Sequence, residues 1–277
     1  MSNWRFFNGI QSVVCCYTLL IIYSQVMIMT EWISHRGFCG TIEEPIATEN
    51  TAAAFLAAIS HGFEHLETDL RVSRDGHIVL CHDPDLRRIS GRQVAVQDMT
   101  RKELSNERLR HGESLLFFDE FLEHFSHLRW ILDIKPETAE QTVAQLNRWR
   151  SDAAVDRFLR ENTRYLFWDS MHEQQLTSEL PEAFCLAREG ACYRAGVASL
   201  LGMPALGAIE SGQFYAVPPT FKGIPLLSES LVTRFHARKA KVIGYLPESP
   251  EEHERALKSG VDQLLTNHAD LKYLLTE

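Results

Sequence analysis

From about residue 31 onward, apolar positions fall into short strand-like runs separated by stretches of helical periodicity. Glu31 to Ser34 is the first strand. Glu64 to Leu70 is the second; at period two Leu66, Thr68 and Leu70 share one face, and Glu67 and Asp69 share the other. Trp130–Ile134, Tyr165–Trp168, Phe184–Ala187, a stretch within Leu206–Val217, Lys241–Leu246 and Asp262–Thr266 complete a series of eight. The first helix is expected to start at an Asn50 cap, to carry a stripe of Ala52, Phe55, Leu56 and Ile59, and to stop at Gly62. Thr100 with Glu103, opening a helix through Leu109, and Ser170 with Glu173 have capping-box spacing. Further helices are expected over Phe117–Phe125, Thr138–Arg150 and Cys192–Leu201. Another is bounded by Ser249, Pro250 and Gly260, and a last one runs to about Leu275. Strands alternating with helices in this way predict an α/β protein, a parallel (β/α)8 TIM barrel.

The stretch after the second strand breaks the alternation. Asp75-Gly76 is a tight-turn signal, and Ile78 to Cys81 reads as a short returning strand. The result is a small hairpin excursion above the barrel mouth. If Val72 to His77 makes the turn, positions whose numbers sum to roughly 150 pair across it, and His82 lands near Thr68. An imidazole then stands beside the Glu67/Asp69 pair. Two oxygen ligands for a hard cation next to an acid–base group are a chemical site in outline.

Composition narrows the picture. The net charge of −9 gives no electrostatic footprint for nucleic acid. The six cysteines (Cys15, Cys16, Cys39, Cys81, Cys185 and Cys192) lack zinc or redox spacing and read as reduced thiols. Cys81 adjoins His82 but takes the opposite face, a packing position. Residues 30–277 match the roughly 250 residues of one barrel domain. Residues 1–29 form a separate apolar segment. Within it Val13 to Met29 carries no charge and has 17 residues, the lower edge of the roughly 17–25 that span a bilayer. Two readings stay open. It is a membrane anchor, with Arg5 placing the barrel outside the cytoplasm, or else the true start is Met27 or Met29 or the segment is a packed extension. Cytoplasmic and membrane-attached locations follow respectively from a start at Met27 or Met29 and from an anchor.

The remaining polar groups are ordered. His35-Arg36-Gly37 follows the first strand, and Glu49-Asn50-Thr51 opens the first helix. Glu67-x-Asp69, Arg74-Asp75-Gly76 and His82-Asp83-Pro84 come next, and Asp133-x-Lys135-Pro136 ends the third strand. This ordered set, over about Trp32 to Leu274, resembles the glycerophosphodiester phosphodiesterase family. The resemblance implies His35 and His82 as a catalytic acid–base pair. It implies Glu67, Asp69 and Asp133 as ligands of one divalent cation, Mg²⁺ or Ca²⁺. Glu49 is read either as a contact of that set or only as a helix-start acid favoured by the dipole. Arg36 and Lys135 would meet the substrate phosphate, and Tyr245 would either form an aromatic wall for the glycerol moiety or pack in the core. Three positions depart from the family pattern. Asp133 replaces the usual Glu, Tyr245 a Trp, and Asn267 an Asp. The implied reaction is hydrolysis of small glycerophosphodiesters to an alcohol and glycerol 3-phosphate. The first rival is a lysophospholipid or sphingolipid phosphodiesterase on the same barrel, with lipid-derived substrate and membrane association through residues 13–29. The second is a non-catalytic phosphoryl-binding protein.

Overall fold

The computed structural model describes residues 30–41, 43–221 and 223–276. Val13–Met29 lies outside the described residues. Among those residues, no helix is long and apolar enough to cross a membrane.

Eight parallel strands form the frame: β1 (Glu31–His35), β2 (His65–Val72), β4 (Arg129–Ile134), β5 (Thr163–Phe167), β6 (Phe184–Cys185), β7 (Phe214–Val217), β10 (Lys241–Tyr245) and β11 (Gln263–Thr266). They follow one another as β6-β5-β4-β2-β1-β11-β10-β7. The two ends of that path meet through a backbone bond, Ala187 N to Phe214 O at 3.1 Å, and through the Gln213 amide on the Cys185 carbonyl. This is the expected TIM-type barrel. The helices lie outside it, and their apolar faces meet Leu66, Leu70, Trp130, Leu132 and Tyr165 in one large core cluster.

Inside the barrel the period-two pattern builds layers. Ile33, Ile131, Leu186, Phe214, Ile243 and Leu265 make a separate apolar plug. Two residues beyond Ile33, Ile131, Ile243 and Leu265 the same parity carries His35, Asp133, Tyr245 and Asn267 to the C-terminal end, where barrel enzymes do their chemistry, and β2 adds Glu67 level with His35 and Asp69 level with Asp133. Two residues before the same four plug positions it carries Glu31, Arg129, Lys241 and Gln263 to the opposite end, and β2 adds His65 level with Arg129.

The excursion is larger than a small hairpin. β3 (Ile78–Leu80) pairs antiparallel with β2 in the expected register: Leu70 with Leu80, Arg71 with Val79, Val72 with Ile78. The chain then folds over as far as Phe117 around an apolar cluster of its own, which includes Val79, Cys81, Leu86, Ile89, Met99 and Leu104. A two-stranded hairpin alone is marginal in water, and this cluster supplies the burial it lacks.

Several helix boundaries differ from expectation. Helix α1 (Ala52–Ser60) is capped by Thr51, whose hydroxyl accepts from Ala54 N at 3.2 Å; Asn50 is not the cap. The Asn50 amide is committed elsewhere, as described below. Ser170 is likewise the first helical residue and not a cap, because the Asp169 carboxylate already accepts from Met171 N. The Thr100/Glu103 capping box forms, but its helix ends at Ser105, not Leu109. The helix expected from Cys192 begins at Glu189. Outside the excursion two helices escaped the pattern, Ala153–Glu161 and Glu229–His236, as did the hairpin of β8 (Thr220–Phe221) with β9 (Ile224–Pro225). Both helices do carry legible caps in Asp152 and Ser228.

Candidate active site

β2 and β4 run in parallel with Asp69 opposite Asp133, one position after Thr68 opposite Leu132. Equal parity in adjacent strands therefore puts Glu67, Asp69 and Asp133 side by side. All three are buried, and a carboxylate oxygen from each lies within 4.8 Å of the others. Such crowding of like charge is costly without cations. Two basic side chains answer it. Lys135 Nζ sits 2.7 Å from Asp69 Oδ1 and 2.6 Å from Asp133 Oδ2, and Arg36 Nε lies 3.0 Å from Asp69 Oδ2. Asn50 adds a hydrogen bond to Asp69 Oδ2 at 2.7 Å, while its own carbonyl accepts from Thr68 Oγ1.

The titration directions follow from these contacts. Burial raises Asp69, but Lys135 and Arg36 outweigh it and hold that carboxyl below its ordinary value. Burial, joined by the Asp69 charge, pushes Glu67 well above its ordinary range. Burial also raises Asp133 in spite of Lys135. Glu67 Oε2 has no hydrogen-bond partner although it is buried. An orphaned buried carboxylate oxygen facing two further carboxylates is a donor set that fits a hard divalent cation.

His35 ends β1, level with Glu67 across the sheet. Its Nδ1 meets Asn267 Oδ1 at 2.7 Å, so the ring proton belongs on Nδ1 and the Nε2 lone pair faces inward, 3.7 Å from Glu67 Oε2. Burial, then the Arg36 charge, lowers this imidazole to about 4. It is therefore neutral near pH 7. Arg36 takes a left-handed conformation, φ 58, and Gly37 follows at φ 84. A Cβ on Gly37 would come within 2.6 Å of Ala54 backbone, so helix α1 can pack this closely only against glycine. The turn is fixed by Arg36 N on the Glu67 carbonyl and Asn50 N on the Arg36 carbonyl. Strain at such a residue concentrates at functional sites.

His82 is not inside the acid cluster. Its ring bonds to Asp83, Nδ1 to Oδ1 at 2.7 Å, and its carbonyl accepts from Arg71 Nε and Nη2 at 3.0 and 2.6 Å. Cys81 N does reach the Asp69 carbonyl, so the hairpin delivers His82 one residue beyond the second strand's acids. Glu49 binds Arg36 and Arg88 and is absent from the carboxylate cluster. Tyr245 stands at the mouth, and burial, then the Glu67 charge, raises its hydroxyl. Cys81 is buried, with its thiol pushed up to about 12, as a packing residue should be.

Sequence reasoning missed four contributors. Trp168 Nε1 donates to Asp133 Oδ1 at 2.8 Å, and its ring lies 5.4 Å from Lys135 Nζ. Asn267 appeared only as a departure, and Asn50 only as a cap. Arg88 carried no signal beyond its place five residues after Asp83.

The profile of the Glycerophosphoryl diester phosphodiesterase family matches residues 35–271. The chain belongs to that family. It is a phosphoric diester hydrolase. A probable glycerophosphodiester phosphodiesterase of Mycobacterium tuberculosis is 27% identical over 241 residues, 86% of this chain and 87% of that protein. A human lysophospholipase D is 36% identical over 87 residues, 31% of this chain and 26% of that protein. Among solved structures, a putative glycerophosphodiester phosphodiesterase of Galdieria sulphuraria superposes with a TM-score of 0.70 at 19% identity, covering 90% of this chain and 98% of that one. The Agrobacterium tumefaciens glycerophosphodiester phosphodiesterase gives 0.66 at 20% identity, covering 89% and 99%. These structural likenesses agree with the family's barrel fold.

Proposed function

We propose that this family member hydrolyses glycerophosphodiesters to an alcohol and glycerol 3-phosphate with one divalent cation, Mg²⁺ or Ca²⁺, held by Glu67, Asp69 and Asp133. The observation that supports it most is the convergence of three buried carboxylates beside a neutral His35. The cation supplies charge neutralisation and polarisation at the phosphate. The side chains supply the rest. Arg36 and Lys135 offer N–H donors to phosphate oxygens. His35 carries its proton on Nδ1, held by Asn267, so Nε2 is free to take the proton of the attacking oxygen. His82 has Asp83 on Nδ1, which orients the ring to protonate the leaving alkoxide. Tyr245, at the end of β10, supplies a wall for the glycerol moiety.

A second substrate class, lysophospholipid, draws support from Trp168, which is about half exposed at the rim while bonded to Asp133, with exposed Met171 in the next turn. The partial relative named as a lysophospholipase D acts as a precedent within the family.

The test uses purified protein, several glycerophosphodiesters and one lysophospholipid, with and without chelator, and detection of glycerol 3-phosphate. Release should depend on the cation. His35→Ala and His82→Ala should each lose roughly 10²- to 10⁴-fold in turnover, the usual worth of general acid–base help. A nitrophenyl leaving group needs little protonation and should rescue His82→Ala but not His35→Ala. Equal rescue of both, or full turnover under chelation, would refute this division of roles.

A further inference from the structure

Arg88 touches both halves of the barrel mouth. It leaves α2 (Arg87–Ser90), a single turn closed by Gly91 at φ 84. Its Nε donates to Asp83 Oδ2 at 2.6 Å, and Nη1 and Nη2 donate to Glu49 Oε2 and Oε1 at 2.8 and 2.6 Å. Asp83 uses its other oxygen on His82 Nδ1 at 2.7 Å. Glu49 Oε1 also accepts from Arg36 Nη1 at 3.3 Å, and Arg36 Nε lies 3.0 Å from Asp69 Oδ2. One planar guanidinium thus completes an unbroken path from His82, on the excursion, to the acid cluster inside the barrel.

That path matters because backbone structure leaves the His82 ring free to rotate. β3 ends at Leu80, two residues earlier. Arg71 grips the His82 carbonyl, which fixes the main chain and not the ring. Ring orientation then rests on Asp83, and Asp83 is itself a short side chain on a loop, held by Arg88. A bidentate fork on one carboxylate with a third N–H on another is a geometry only arginine supplies. The Arg88 side chain is 47% exposed, so solvent screening leaves these pairs little to contribute to global stability.

On the reading of His82 given above, we propose that Arg88, anchored on Glu49, is a positioning residue: it orients His82 through Asp83 without touching substrate. Misplacement of a reacting group by about 1 Å can cost roughly 10²-fold. Arg88→Ala should therefore lower kcat on glycerophosphocholine by about 10- to 100-fold, with little change in melting temperature. Arg88→Lys should recover only part of it, since an ammonium cannot bridge both carboxylates as the fork does. The deciding measurement is the double variant. In a His82→Ala background, adding Arg88→Ala should cost no more than about 3-fold, because groups acting in series do not add. Asp83→Asn cuts the same path while leaving the Arg88–Glu49 fork, and should show the same non-additivity should Arg88→Ala fold poorly. A loss undiminished in the His82→Ala background, a loss confined to KM, or kcat within 2-fold of the parent would overturn the proposal. If His82→Ala alone retains turnover, the assignment of His82 fails, and this proposal fails with it.

Discussion

Glu31 and Glu67 belong to neighbouring strands of one barrel, at opposite ends, and the chain treats them oppositely. At the N-terminal end, Glu31 accepts from His65 Nδ1 at 3.1 Å and from Gln263, and pairs with Arg129. Arg164 completes the layer, bonded to Gln263 and lying 4.2 Å over the Phe214 ring. Burial raises Glu31, yet His65, Gln263 and Arg129 together outweigh it and hold the carboxyl at about 2. Burial also lowers His65, which near neutrality is thus a neutral hydrogen-bond partner and becomes charged only in acid. At the mouth, three carboxylates crowd together, and Glu67 is driven the other way. One polar layer is matched within itself. The other is left mismatched, and its surplus of negative charge suits a cation. On the proposed function, stability would be drawn from the first and function from the second, as expected where chemistry requires clustered charge.

Variants at the two ends should separate the roles. The largest effect is on turnover. Asp69→Asn should cost ~10³-fold or more in kcat/KM, the several kcal/mol expected of a lost cation-binding oxygen. Glu31→Gln should stay within a few-fold of the parent. Comparable losses from both would erase the distinction. Next comes cation-induced stabilisation. A divalent cation at 100 times its Kd should stabilise the folded protein by about 2.7 kcal/mol through mass action. Calorimetry with increasing Mg²⁺ or Ca²⁺ should show this rise in the parent and in Glu31→Gln, and not in Asp133→Asn. Asp133→Glu, which restores the usual family residue, should keep both the rise and the turnover.

The smallest effects are on stability without added cation, and their pH dependence has opposite signs. Glu31 titrates lower folded than unfolded, so its contribution is full above pH 4.5 and fades as pH falls from 4.5 towards about 2. Glu31→Gln should cost about 1–3 kcal/mol near neutrality, by weakening charge-assisted hydrogen bonds, and the deficit should vanish in that acid window. Glu67 titrates higher folded than unfolded, so its cost is absent below pH 4.5 and grows as pH rises. Glu67→Gln should therefore raise the melting temperature at pH 8 in chelator, with no gain below pH 4.5. Denaturation of both variants across pH 2–8 checks the two signs together.

The alternation of apolar and polar residues by itself determined the eight strands, the parity that turns Glu67, Asp69 and Asp133 inward, and the hairpin register, because strand geometry has a fixed period of two. The excursion was underestimated because its cluster, from Val79 to Phe117, is assembled from short irregular pieces without periodicity. Local sequence also named His35, Arg36 and Lys135, since each lies at or just past a strand end. Only the tertiary structure decided what those groups touch. Asn50 reads as a helix cap, and becomes a bridge between Asp69 and Thr68 because Thr51 takes the cap. Asn267 lies 232 positions from His35, and closure of the barrel by β11 on β1 is what brings its amide to the imidazole. Trp168 reaches Asp133 and Arg88 reaches Glu49 from strands and turns far apart in the chain. Hydrogen bonds between such distant positions have no sequence period; they exist only once the ring of strands has fixed where each loop begins.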